Sequence, residues 1–179
     1  MPKLLAPKKT KSDSSRAPSL KEVDPPRERD TLNGLLPYKS SLAGTLLSAR
    51  EAVMAPIRPI LRDVNVTEQQ WRVLRVLGEQ AELDAVSITQ MAMLLPPSVT
   101  RILRELEERK LILRRPDHND GRRSIVSITA KGRQLMASTA KHTKAVLAAY
   151  TQAFGQERLD HLIKELASLQ AAIEPFRPD

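Results

Sequence analysis

The sequence predicts a mainly α-helical chain interrupted by one small β-hairpin, an α+β arrangement in which helices dominate. Three observations carry this. Apolar residues recur at helical spacing along most of the chain. Only around residues 111–128 does the pattern change to strand-like alternation about a loop dense in turn formers. The 179 residues include just 6 glycines, too few for a turn-rich β-sandwich. This length suits one domain with a real core.

Residues 1–30 stand apart. They hold Pro2, Pro7, Pro18, Pro25 and Pro26 among clustered Ser and Lys, and read as a disordered basic tail that cannot bury enough apolar surface to fold. From Leu35 to Arg62 a helical stripe of Leu42, Leu46, Ala49 and Val53 follows, expected to kink or loosen at Pro56 and Pro59. Thr67-Glu68-Gln69-Gln70 is a capping box, with Thr67 capping the Gln70 amide. Trp71, Leu74 and Leu77 mark the buried face of the short helix it starts, ending near Gly78. A third helix is expected around Ser87, with Ile88, Met91 and Leu95 inward. Pro96-Pro97 then breaks the chain and seats another helix start.

Over Pro97–Lys110, Val99, Ile102, Leu103 and Leu106 fall within about a 100° arc of a helix. Pro97, Ser98, Arg101, Arg104, Glu105 and Glu108 occupy the opposite side, so short hydroxyls and two arginines lie early and acids late. Leu111–Arg115 and Ser124–Ile128 read as two strands joined by the turn-rich residues 116–123. Thr129 looks like a cap for a helix from Ala130 to Phe154. A last helix, from Gln156 to Phe176, carries a stripe of Leu159, Leu162, Ile163, Leu166, Leu169 and Ile173.

Charge and chemistry narrow the function. A formal net charge of +8 calls for a polyanionic partner. The absence of cysteine removes disulfides, thiolate metal sites and thiol redox sensing. His118, His142 and His161 lack ligand spacing, and neither a nucleophile elbow nor a phosphate loop occurs, so no enzyme, metal or cofactor is implied. No apolar run reaches the ~18–20 residues of a membrane span, which leaves a cytoplasmic protein as the expectation. Five aromatic residues in all weigh against single-strand RNA reading, which stacks bases on exposed rings.

Helix, helix, arginine-bearing amphipathic helix and arginine-tipped hairpin together make the layout of a winged helix-turn-helix. A helix fits the DNA major groove, and a hairpin beside it can send arginine into the minor groove. The run Pro97-Ser98-Val99-Thr100-Arg101-Ile102-Leu103-Arg104-Glu105-Leu106-Glu107-Glu108-Arg109 resembles the MarR family of transcriptional regulators. So does Arg114-Arg115-Pro116-Asp117-His118-Asn119-Asp120-Gly121-Arg122-Arg123, whose Asp-x-Arg element is similar to that family's wing. Ala49-Arg50-Glu51-Ala52, Arg58-Pro59 and Thr67 to Leu74 resemble the subgroup that represses homoprotocatechuate (4-hydroxyphenylacetate) degradation operons. Together the likeness covers Leu46 to Met136. Two positions depart from it: Gly121 stands where relatives often carry a polar or basic side chain, and Lys110 where they frequently have glycine. If the latter site needs a left-handed backbone, lysine costs about 1 kcal/mol.

The resemblance implies a homodimer on a pseudo-palindromic double-stranded DNA site. Its parts would be an N-terminal dimerisation helix in 31–63, the winged domain in 64–129 and C-terminal dimerisation helices in 130–179. Ser98, Thr100, Arg101 and Arg104 match the DNA-reading helix. Asp120 and Arg122 match the wing, with Arg123 a further phosphate or groove contact. The plainer reading pairs Arg104 with Glu108 and gives Asp120 only to the turn. The resemblance also implies a small aromatic carboxylate as effector, to which Arg50, Met54, Arg58 and Trp71 are assigned. Arginine would answer the carboxylate and Trp71 would wall the ring, although a lone tryptophan is more often core. The expected function is a repressor of an aromatic catabolic operon, released by that acid; a constitutive or architectural DNA-binding protein is the alternative.

Overall fold

The structure, a computed structural model, describes residues 34–117 and 123–177. The expected basic tail and the assignments at Asp120 and Arg122 lie outside the described residues. Seven α-helices and a three-stranded antiparallel sheet account for most of what is described.

The stretch expected as one kinked helix breaks in two: α1 (Leu42–Met54) and α2 (Ile57–Asp63). Ser41 caps α1 by accepting from the Gly44 amide, so the helix starts later than the apolar pattern alone suggests. Pro56 precedes α2, where its fixed φ suits a helix start, and Pro59 sits in the first turn, where its missing N–H costs nothing. The proline pair therefore makes a joint of two helices instead of a bend in one.

The capping box at Thr67 is formed, and α3 (Glu68–Glu79) buries Trp71, Leu74 and Leu77 as expected, with Val73 and Val76. Next comes a two-residue strand, β1 (Leu83–Asp84), which sequence patterning did not disclose. Asp84 also caps α4 (Ala85–Met91), placing that helix start two residues before Ser87. The inward face assigned to this helix is corrected in part. Ile88 is buried, but Met91 is 42% and Leu95 73% exposed, and Ala92 is the residue that packs inward. The helix ends at Met91, and the left-handed Met93 turns the chain before the periodicity can reach Leu95.

Leu95 is instead the N-cap residue of α5 (Pro96–Glu108), whose Val99, Ile102, Leu103 and Leu106 are all buried. Strands β2 (Ile112–Pro116) and β3 (Ser124–Ile128) form the hairpin, with Arg114 opposite Val126 and Arg115 opposite Ile125. Strand order is β1-β3-β2. Thr129 caps α6 (Ala130–Phe154), and Gly155, with φ +96°, joins it to α7 (Gln156–Ile173).

The core lies under α2–α5 and the inner sheet face. By contrast, the apolar stripes of α1 and α7 stay largely uncovered within one chain. Leu42, Leu47 and Val53 on α1 are exposed, as are Leu162, Ile163 and Ile173 on α7.

The junction of α5 and β2 carries a testable strain. Lys110 has φ +59°, and its amide and that of Leu111 bond back to Glu107 and Leu106 carbonyls, the geometry of a glycine-type helix stop. Lys110→Gly is expected to raise stability by about 0.5–1 kcal/mol in urea unfolding, since only glycine takes this backbone without a Cβ penalty.

Candidate nucleic-acid interface

Ser98, Arg101 and Arg104 fall at three-residue steps on the outer face of α5. Their spacing follows from the helix, whose opposite face is locked into the core. Arg101 and Arg104 are exposed and Ser98 is half-buried. The Arg104–Glu108 pair of the plainer reading is not made. One turn earlier, Arg101 Nη1 donates to Glu105 Oε1 at 2.8 Å, and Arg104 has no ion pair among the described residues. The Thr100 hydroxyl is exposed but donates back to the Pro96 carbonyl at 3.1 Å, which leaves only its oxygen lone pairs for a partner.

The wing root is tied to β1 and the residue just before it by two ion pairs. Arg115 Nη2 reaches Glu82 Oε2 at 2.7 Å, and Arg123 pairs with Asp84. One carboxylate oxygen of Asp84 caps α4 while the other holds Arg123, so a single residue fixes the start of the helix-turn-helix against the hairpin. Neither acid was foreseen as a wing partner, because they lie 33 and 39 residues from their arginines in the chain, beside or within a strand of only two residues. Hydrogen bonds from the Ser87 amide and then its side chain, with Arg123 a lesser contributor, hold the Asp84 carboxyl below the usual aspartate range. Asp84 therefore contributes stability that is fully present above the unfolded-state value of about 3.9 and disappears as pH falls through its lower folded value. Asp84→Ala is expected to cost about 1 kcal/mol at pH 7 through the lost cap, a difference that narrows in unfolding curves taken at successively more acid pH.

The residues assigned to an effector do come together, though not as bare cations. Glu51 and Glu68 lie between Arg50 and Arg58. Arg50 pairs with both glutamates. Arg58 reaches Glu51 Oε2 at 2.7 Å and Glu68 Oε2 at 3.3 Å. Glu68 begins α3, three residues before Trp71, so one helical turn carries both the acid and the indole. Trp71 is 8% exposed and belongs to the core cluster, and Met54 packs against that cluster from α1.

A third arginine escaped sequence reasoning. Arg72 donates to the Ala92 and Met93 carbonyls at 3.0 and 3.2 Å, while its Nε is buried without a hydrogen-bond partner. Burial first, and the nearby Arg50 charge second, lower its pKa. Three guanidiniums against two carboxylates leave this corner net positive, which suits an anion. Its position four residues after Glu68 was the available signal.

Among the described residues no group of three or more His, Asp or Glu could hold a metal ion, and no helix is long and apolar enough to cross a membrane.

Residues 66–124 match the model of the MarR family. The chain is 37% identical over 131 residues to the HTH-type transcriptional regulator FarR of Neisseria gonorrhoeae, covering 72% of this chain and 90% of the relative. To the homoprotocatechuate degradative operon repressor of Escherichia coli it is 36% identical over 132 residues, covering 72% and 89%. Among solved structures it is similar to NadR in complex with 4-hydroxyphenylacetate, with TM-score 0.66 and 37% identity, over 72% of this chain and 92% of that one.

Proposed function

The chain belongs to the MarR family, and from that premise we propose that it represses an aromatic-compound catabolic operon and leaves its operator when a small aromatic carboxylate binds. One observation carries the DNA half of this reading: the open face of α5 presents Ser98, Arg101 and Arg104 beside a hairpin whose root carries Arg115 and Arg123. Arg101 and Arg104 meet base edges or phosphate in the major groove, Ser98 and Thr100 add hydrogen bonds, and Arg122, steadied by Asp120, enters the minor groove. The protein acts in the cytoplasm, where its operator is.

The uncovered stripes of α1 and α7 support a homodimer, since apolar faces of that extent in one chain call for a partner surface. On a pseudo-palindromic site the two α5 helices enter successive major grooves ~34 Å apart. The domain division follows: residues 31–63 and 130–179 pair the protomers, and 64–129 reads DNA.

The effector reading is supported by the arginine-rich corner around Glu68 and by the relatives' chemistry, homoprotocatechuate degradation in one and bound 4-hydroxyphenylacetate in another. A carboxylate competing with Glu51 and Glu68 for Arg50 and Arg58 would release the first turn of α3, with Trp71 and Met54 beside the ring. The acid then favours a spacing of the two α5 helices that misses the grooves, a shift of population whose size equals the difference in its affinity for the two states.

The test is a titration of aromatic acids, 4-hydroxyphenylacetate among them, into a complex of the dimer with its operator, followed by anisotropy. Dissociation at micromolar to millimolar acid supports release by ligand. Affinity that no carboxylated phenol changes supports the constitutive alternative. Arg122→Ala is expected to weaken binding to every duplex and to lower the slope of log affinity against log salt by about one contact. An unchanged slope would remove Arg122 from the interface.

A further inference from the structure

Gln70 is buried, 6% exposed, yet it belongs to neither the apolar core nor the surface. Its Oε1 accepts from the Thr67 amide at 3.0 Å, which leaves its Nε2 as the donor to Glu105 Oε2 at 2.8 Å. The other Glu105 oxygen accepts from Arg101 Nη1 at 2.8 Å. A continuous file of hydrogen bonds thus runs from the cap of α3, through a buried amide and a partly covered carboxylate, to the guanidinium of Arg101, a side chain 57% exposed on the outer face of α5.

An exposed arginine–glutamate pair one helical turn apart is weak by itself, because both side chains keep other rotamers open. Here the glutamate is not free to choose. Gln70 has one donor group to spare, Glu105 is its partner, and swinging Glu105 away would leave a buried amide unsatisfied. The carboxylate is therefore held in one place, and it presents its second oxygen to Arg101.

We propose that Gln70 is a positioning residue for DNA reading: through Glu105 it fixes the direction of Arg101, so that the base preference of α5 depends on a side chain of α3 that never reaches DNA. This rests on the reading of α5 as the DNA-reading helix.

Selection from a randomised duplex library by the full chain tests it. Wild-type protein and Arg101→Ala together define the base position that Arg101 reads. Gln70→Leu, of similar size but without hydrogen bonds, is expected to lower discrimination at that position by roughly tenfold. Preference elsewhere, and the salt dependence on random duplex, should stay as in the wild type. Because Gln70→Leu also removes half of the α3 capping box, Glu105→Gln is the second variant. It leaves the cap intact but replaces two acceptor oxygens by one oxygen and an NH2 group, so it cannot accept from both Gln70 and Arg101 in this geometry, and the same local loss is expected. The double variant Gln70→Glu/Glu105→Gln restores a carboxylate facing an amide with the roles exchanged, and with it most of the discrimination.

Folded single variants with wild-type preference at the Arg101 position would overturn the proposal. So would a double variant that restores nothing, or a profile that Arg101→Ala does not alter. A wild-type protein that selects no sequence at all would instead overturn the reading of α5 on which the proposal rests.

Discussion

Gly132→Ala is expected to cost about 3 kcal/mol, at the upper end for overpacking, because the added methyl would meet backbone and not a side-chain tip. A Cβ at Gly132 would lie 2.2 Å from the Leu111 carbonyl oxygen and 2.7 Å from Ile128 Cγ1. That carbonyl is already engaged by the Thr129 amide at 3.1 Å and its hydroxyl at 3.0 Å, and Thr129 Oγ1 in turn caps the Gly132 amide. Nothing there can move without parting the hairpin from the start of α6. A domain with about 5–15 kcal/mol in hand would lose a large share of it. Urea unfolding measures the loss, and weaker operator binding by the still-folded fraction would show the hairpin displaced. Gly78→Ala is the contrast. Its Cβ would press on the Met136 methyl at 2.7 Å, the flexible end of a side chain, and alanine favours a helix. That variant is expected to stay within about 1 kcal/mol of the wild type.

Trp71→Ala is the other large effect, expected at about 3–5 kcal/mol because a buried indole leaves a cavity its neighbours cannot fill. Most of that cost belongs to the core, so the alanine variant says little about ligand. Trp71→Phe separates the two duties. It keeps an aromatic ring, should fold, and should need several-fold more aromatic acid to leave DNA if the indole also forms the effector wall. An unchanged acid requirement would assign Trp71 to packing alone. As Trp71 is the chain's single tryptophan, wild-type fluorescence reports on acid binding at this place directly.

What could be read from the sequence was what is local. The Thr67 and Thr129 caps involve residues three apart, and both are formed. The buried arc of α5 followed from helical period alone, and each of its four residues is covered. The same reasoning failed at Met91 and Leu95, because periodicity says which residues would share a face but not where a helix stops. Contacts between distant segments were illegible. Strand β1 exists only because Leu83 and Asp84 find Val126 and Ile125 as partners. The arginines assigned to reading and effector roles could be read as cations on helix faces, but their company could not. Glu68 meets Arg58 across ten residues, and Glu105 meets Gln70 across 35. Those partners decide whether an arginine is bare, neutralised or aimed.

Helix α6 runs unbroken for 25 residues with no proline inside it. Its first turn is latched to the hairpin at Leu111, and near its far end the Tyr150 hydroxyl donates to the Val53 carbonyl of α1 at 2.8 Å. At 1.5 Å per residue it is a stiff beam of roughly 37 Å, on which a tilt of about 5° at one end carries the other roughly 3 Å. A beam of that length would carry a small rearrangement beside α1 to the hairpin as a displacement on the scale of a groove contact.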